Sequence, residues 1–197
     1  AVGSEKKRFS RDLVFNTMAV LFILYVVAVA TGLTEKLNKP KTDAQVAKIH
    51  ATKLTLDDVM GINLPQDPGV EADKTVQGID ANQNGIRDDV ELAIFKEYPN
   101  SAKTRSVLLQ YALALQMEVT QPFVNADVVT EVVREQSRAY ACVGKILSRS
   151  DLQKYIEKGD QLRSFIKTRQ FNTDERKAAR DEFVEKVGSY SESTNEI

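Results

Sequence analysis

Hydrophobic positions divide the chain into three regimes. From residue 13 to 33 the sequence reads LVFNTMAVLFILYVVAVATGL, with no charged residue in it. At about 1.5 Å rise per residue, a helix of this length covers the roughly 30 Å of a bilayer's hydrocarbon core, so a single transmembrane helix is expected. Residues 34–78 keep no sustained period and are punctuated by Pro40, Gly61, Pro65, Pro68 and Gly69. They read as a tether with at most short helices. One candidate runs over 42–54, and Thr55-Leu56-Asp57-Asp58-Val59 has the form of a capped single turn ended by Gly61.

Beyond the acidic stretch at 80–91, the spacing of apolar residues is helical to the end, with no alternation long enough for strands. Val90, Leu92, Ile94 and Phe95 predict a helix over 89–98, stopped by Pro99 and Asn100, with Ser101 positioned to cap the next. That next helix, 103–120, has Val107, Leu108, Tyr111, Leu115 and Val119 on one face. Leu109, Leu113 and Met117 lie off that face, which makes it the expected central helix. A long helix from Pro122 to about Leu147 carries a stripe of Val128, Val129, Val132, Val133, Tyr140, Val143 and Ile146. Asp151 can cap a further helix through Leu152, Tyr155, Ile156, Leu162, Phe165 and Ile166, with Gly159 as a point of bending. Asn172 followed by Glu175 resembles a capping box for a last helix bearing Ala179, Phe183, Val184 and Val187. The expected fold is all-α: a basic flank at 1–12, an anchor at 13–33, a tether at 34–78, a helical bundle with its loop at 79–190, and a frayed tail at 191–197.

Composition narrows the chemistry. The 197 residues carry a formal net charge of -1, without the concentrated basic face that nucleic acid requires. Cys142 is the only cysteine and His50 the only histidine. An intrachain disulfide, a cysteine-based zinc cluster and a multi-histidine metal site are thereby excluded, and a Ser or Cys nucleophile has a single imidazole available as base. His50 reads as a solvated residue and Cys142 as a small packing residue beside an apolar stripe. The mixed charges between 154 and 186, nine basic and seven acidic, read as a solvated face with ion pairs.

Charge also orients the apolar segment. Lys6, Lys7, Arg8 and Arg11 precede it, the flank that favours the cytoplasmic side, which sends residues 34 onward across the membrane. A cleavable signal peptide is the alternative, with the small-x-small triplet Ala28-Val29-Ala30 before Thr31. Either way the helical domain is expected outside the cytoplasm, in the periplasm of a bacterium if the anchor is held in an inner membrane.

Residues 80–91 read DANQNGIRDDVE. Oxygen-bearing side chains stand at the first, third, fifth, ninth and twelfth places, with glycine at the sixth. A calcium ion takes six to eight oxygens at about 2.3–2.6 Å, and short side chains two residues apart in a tightly coiled loop can point at one centre. Gly85 supplies the sharp turn. The candidate metal ligands are the side chains of Asp80, Asn82 and Asn84, the carbonyl of Ile86, Asp88 directly or through water, and both oxygens of Glu91. Residues 67–91 contain seven acidic side chains against Lys74 and Arg87, a local charge of -5 that favours a bound cation.

This pattern resembles the EF-hand calcium loop, with two departures. Prolines and glycines replace the entering helix, and Arg87 stands where a branched apolar residue is usual. The arrangement is closer to the solitary calcium loops of dockerin-type and thrombospondin type 3 repeats, which implies a structural, extracellular role. The longer stretch PQDPG…GIDANQNGIRDDVE…YP with KTRSVLLQYALALQ, covering about residues 65–116, resembles envelope proteins of Gram-negative bacteria, a family that carries no activity over to this chain. The expectation is a non-enzymatic, single-pass protein of a bacterial inner membrane. Its periplasmic domain would bind calcium, and its partners would be the lipid bilayer and another protein of a membrane complex.

Overall fold

The computed structural model describes the backbone of residues 2–122 and 125–193, and their side chains except those of 2–16, 28, 30–31, 33–35 and 189–193. Among the described residues every regular element is helical and none is a strand, as the periodicity requires. Residues 1–43 and 44–197 form two compact units.

The first unit consists of most of α1, Val2–Ala51. Pro40 lies inside this helix, where it withholds one backbone donor and its ring presses on the carbonyl one turn back. Lys39 and Asp43 form an ion pair across one turn at 3.5 Å. The apolar run 13–33 lies within α1, although several of its side chains fall outside those described. Among the described residues no helix is long and apolar enough to cross a membrane.

The second unit begins with the last two turns of α1, and here the structure departs from the expected tether. Residues 34–51 are one helical stretch, and Ile49 is buried in the core of the second unit. Two short helices do follow. α2, Leu56–Met60, starts from a reciprocal capping box between Thr55 and Asp58 and stops at Gly61, whose φ of 75° is left-handed. A 3-10 helix, Gly69–Asp73, buries Ala72. Because Ile49 joins the hydrophobic core and Ala72 is buried, the tether region is partly built into the bundle rather than spanning solvent.

Five longer helices complete the unit: α3 Asp88–Glu97, α4 Ala102–Thr120, α5 Ala126–Lys145, α6 Leu152–Gln170 and α7 Asp174–Ser193. The central position expected of α4 is observed. It packs against α2, α3, α5, α6 and α7, and its residues 111–119 are buried without interruption. No charged residue falls between Arg105 and Glu118, so every face of these three turns can enter the core. α5 buries Val128, Val129, Val132 and Val143, but Tyr140 of the expected stripe stays half exposed beneath the Arg163 guanidinium, 4.2 Å from its ring centre. α5 begins at Ala126 with Asn125 as its cap, later than the Pro122 start that the sequence suggested. Ser101 and Asp151 cap α4 and α6 as expected.

The last helix departs by one residue from its expected start. Thr173, not Asn172, accepts the amide of Arg176 at 3.3 Å. The Asn172 side chain is engaged elsewhere, donating to Asp73 and accepting from Arg176. Of the tail expected to fray, residues 191–193 belong to α7 and 194–197 lie outside the described residues.

Candidate functional site

The acidic loop coils between the 3-10 helix and α3 by satisfying its own amides. The Asp80 carboxylate accepts the Asn84 amide at 3.1 Å with Oδ1 and the Gly85 amide at 2.8 Å with Oδ2. Asn82 Oδ1 also accepts from the Asn84 amide at 3.3 Å, and Asn84 Oδ1 accepts from Ile86 at 2.9 Å. Each short side chain therefore bonds the backbone two to five residues ahead, which is why Asp and Asn occupy these alternating places. Gly85 has a φ of 86°, and a Cβ there would stand 2.6 Å from Leu113 Cδ1 and 2.9 Å from Thr52 Cγ2. Glycine is required for both the turn and the close approach of the loop to α4.

The loop closes on α3. Asp88 donates its amide to the Ile79 carbonyl at 2.8 Å, and its carboxylate accepts the Ala81 amide at 3.0 and 3.3 Å. Glu91, one turn into the helix, is 1 % exposed. Its Oε1 accepts from Asn84 Nδ2 and its Oε2 from Asn82 Nδ2, both at 3.1 Å. Asn82 Nδ2 is shared with the Asn63 carbonyl at 3.0 Å, which ties the loop to the turn after α2. Asp80, Asn82, Asn84 and Glu91 thus belong to one hydrogen-bonded ring, which Asp88 flanks by holding the Ala81 amide. Ile86 contributes differently: its side chain is fully buried among the core residues while its backbone stays in the loop.

Electrostatics in the ring are strained toward neutrality. Burial pushes the Glu91 carboxyl up to about 7, against the two amide bonds that favour its charge, and Asp58 and Asp88 push the same way. Asp80 is raised by burial, opposed by the amides of Gly85, Asn84 and Gln83. Asp88 is raised by burial and by the neighbouring Asp80 and Asp89. Asp58 is a contributor that the sequence disclosed only as a helix cap. Twenty-two positions before Asp80, it has no spacing relation to the loop, and only the fold sets its charge against Asp80 and Glu91. Among the described residues no three His, Cys, Asp or Glu side chains converge as a metal-holding group. What meets on Glu91 is a pair of amide NH2 groups.

Arg87 explains its own departure from the EF-hand pattern. The apolar residue that would follow the glycine by two places has moved one place earlier, as Ile86, and Arg87 is turned the other way. Its guanidinium is fully buried, donating to Asp89 at 2.9 and 2.5 Å and to the carbonyls of Gln170 at 3.0 Å and Arg169 at 3.4 Å. A cation at these last carbonyls of α6 also meets the negative end of that helix. Asp89 sits in the first turn of α3 and holds Arg87.

Of the two single-copy residues, His50 is exposed as the sequence suggested, and Cys142 lies outside the core cluster. His50 pairs with Glu131 at 3.0 Å, and Cys142 is half-buried and free. Comparison with protein-family models, with curated proteins and with solved structures gives no match.

Proposed function

We propose that the ring from Asp80 to Glu91 is a structural calcium site, and that the helical domain carrying it is a non-enzymatic module held at a bacterial inner membrane by residues 13–33, with residues 34 onward on the periplasmic side. The observation that carries the calcium reading is Glu91, a 1 %-exposed carboxylate whose two oxygens draw the two loop asparagines onto it. The partial positive charge of those NH2 groups partly offsets the buried anion. A divalent cation would offset it in full, with the asparagine amides rotated so that their oxygens face the ion. Asp80, Asn82, Asn84, the Ile86 carbonyl, Asp88 and Glu91 would be its ligands. All are oxygen donors, the hard set that suits calcium rather than a transition metal. The ion would supply cross-linking, not catalysis: it would fasten the loop to the start of α3.

The anchor reading rests on the uncharged length of residues 13–33 and the basic residues before it. A non-enzymatic module at a membrane would serve by binding, so a protein partner in the envelope is part of the proposal.

Calorimetry on the full chain in mild detergent, after treatment with chelator, tests the ion. Calcium should bind and raise the melting temperature, magnesium should do so less, and Glu91→Gln should remove both effects. Absence of any calcium-dependent heat or thermal shift in the wild type overturns the site. Resistance to alkaline carbonate extraction tests the anchor separately, and release of the chain into the soluble fraction would overturn it without touching the calcium reading.

A further inference from the structure

Glu118 is an acid that the calcium reading leaves unused. It ends the uncharged run of α4 and is 3 % exposed. A buried carboxylate is costly unless fully paired. Here Gln136 of α5 donates to Oε1, and Arg180 Nε of α7 stands 3.6 Å from Oε2, beyond a charge-assisted hydrogen bond. Beside this group lies a cavity of about 200 Å³, walled by Tyr111, Leu115 and Phe183 and edged by Tyr140, Lys167 and Arg180. The Arg180 guanidinium is steadied 5.0 Å over the Phe171 ring. Two cations and one acid thus line a small, half-open, partly aromatic pocket, and its charge balance favours an anion. Its volume is below that of drug-sized pockets, which limits the guest to a compact molecule.

We propose that this cavity binds a small monocarboxylate with a compact apolar or aromatic body. The guest's carboxylate would lie against Arg180 and Lys167 and its body against Leu115 and Phe183, with the Glu118 carboxyl, in its protonated form, donating to the guest. The proposal is independent of the calcium loop.

Proton linkage gives it a signature. Burial pushes the Glu118 carboxyl up to about 7, opposed by Arg180, Gln136 and Lys167. The groups around it are Tyr111 on its own helix, Gln136 and Tyr140 from α5, Lys167 from α6 and Arg180 from α7. Tyr111 is pushed up to about 12 by burial and stays neutral across this range. An anion bound beside Glu118 raises its carboxyl further, so the complex holds more protons than the free protein. Affinity must therefore fall as pH rises, by up to about tenfold for each unit of that added shift.

The test is titration of the full chain in mild detergent with benzoate and isovalerate, each ionised throughout, and with benzylamine as the opposite charge, at pH 6 and pH 8. Benzoate or isovalerate should bind, more tightly at pH 6. Arg180→Gln, a substitution at a 40 %-exposed side chain, should weaken binding at least several-fold. Glu118→Gln, checked by circular dichroism for an unchanged fold, should keep binding and lose the pH dependence. Failure of both acids to bind, preferential binding of benzylamine, or indifference of the acids to Arg180→Gln overturns the proposal.

Discussion

Among the described residues, three buried arginines clasp helix ends and turns, and each does so through carbonyl oxygens. Arg87 reaches the last turn of α6. Arg105 bonds the Val59 carbonyl at 3.1 Å and those of Tyr98 and Pro99 while lying over the Phe95 ring. Arg176, fully buried, takes the carbonyls of Ala72, Thr75 and Val76, with Asp73 at 2.5 Å. A planar, weakly hydrated fork with five donors suits this task; a lysine ammonium does not. Replacing Arg87 by the leucine that an EF-hand loop would favour leaves the α6 carbonyls and Asp89 without their partner. It is expected to destabilise the protein by about 3 kcal/mol, measured as a lower midpoint in urea with an unchanged slope. The loop itself was legible in the sequence because its information is local: oxygen-bearing residues at alternating places around Gly85. Asp58 and Arg176 were not. Asp58 showed only its cap, and Arg176 sat among exposed charges at helical spacing, with nothing nearby in sequence to mark it as buried.

At the scale of elements, caps carried most of what could be read ahead of the structure. Thr55, Ser101 and Asp151 each accept the amide three residues on, because an N-cap is decided by its own side chain and the next turn. Ser101→Ala should therefore cost about 1 kcal/mol in a thermal or chemical melt, without altering the far-UV signature of the native state. The start of α7 was misjudged by one residue for the opposite reason. Asn172 had a distant claim on it, from Asp73 and Arg176, and Thr173 took the cap. The same principle governs α1. Pro40 and the polar composition around it argued for a break, yet the helix continues to Ala51, and Ile49 in its last turns is buried in the second unit's core. Tertiary burial outweighs local propensity there.

For the molecule as a whole, stability depends on acids kept from water. Glu118 has its carboxyl raised from an ordinary 4.5 to about 7 in the folded state. Its contribution is fully present below 4.5 and is lost as pH rises through 7, since the native state binds the proton more tightly than the unfolded chain. Wild-type protein is thus expected to melt at a lower temperature at pH 8 than at pH 5.5, and Glu118→Gln should reduce that slope to the part that Glu91 supplies, as calorimetry at the two pH values would show. The clamps that complete the fold also impose an order in time. Arg87 waits for a carbonyl 83 residues downstream, and the carbonyl of Ala72 waits 104 residues for Arg176. During synthesis the acidic loop leaves the ribosome well before either fastening exists. A chain arrested after α5 would keep the loop's own bonds and those to α3 but lack both clasps, so α6 and α7 fasten the segments around Ala72 and Arg87 last.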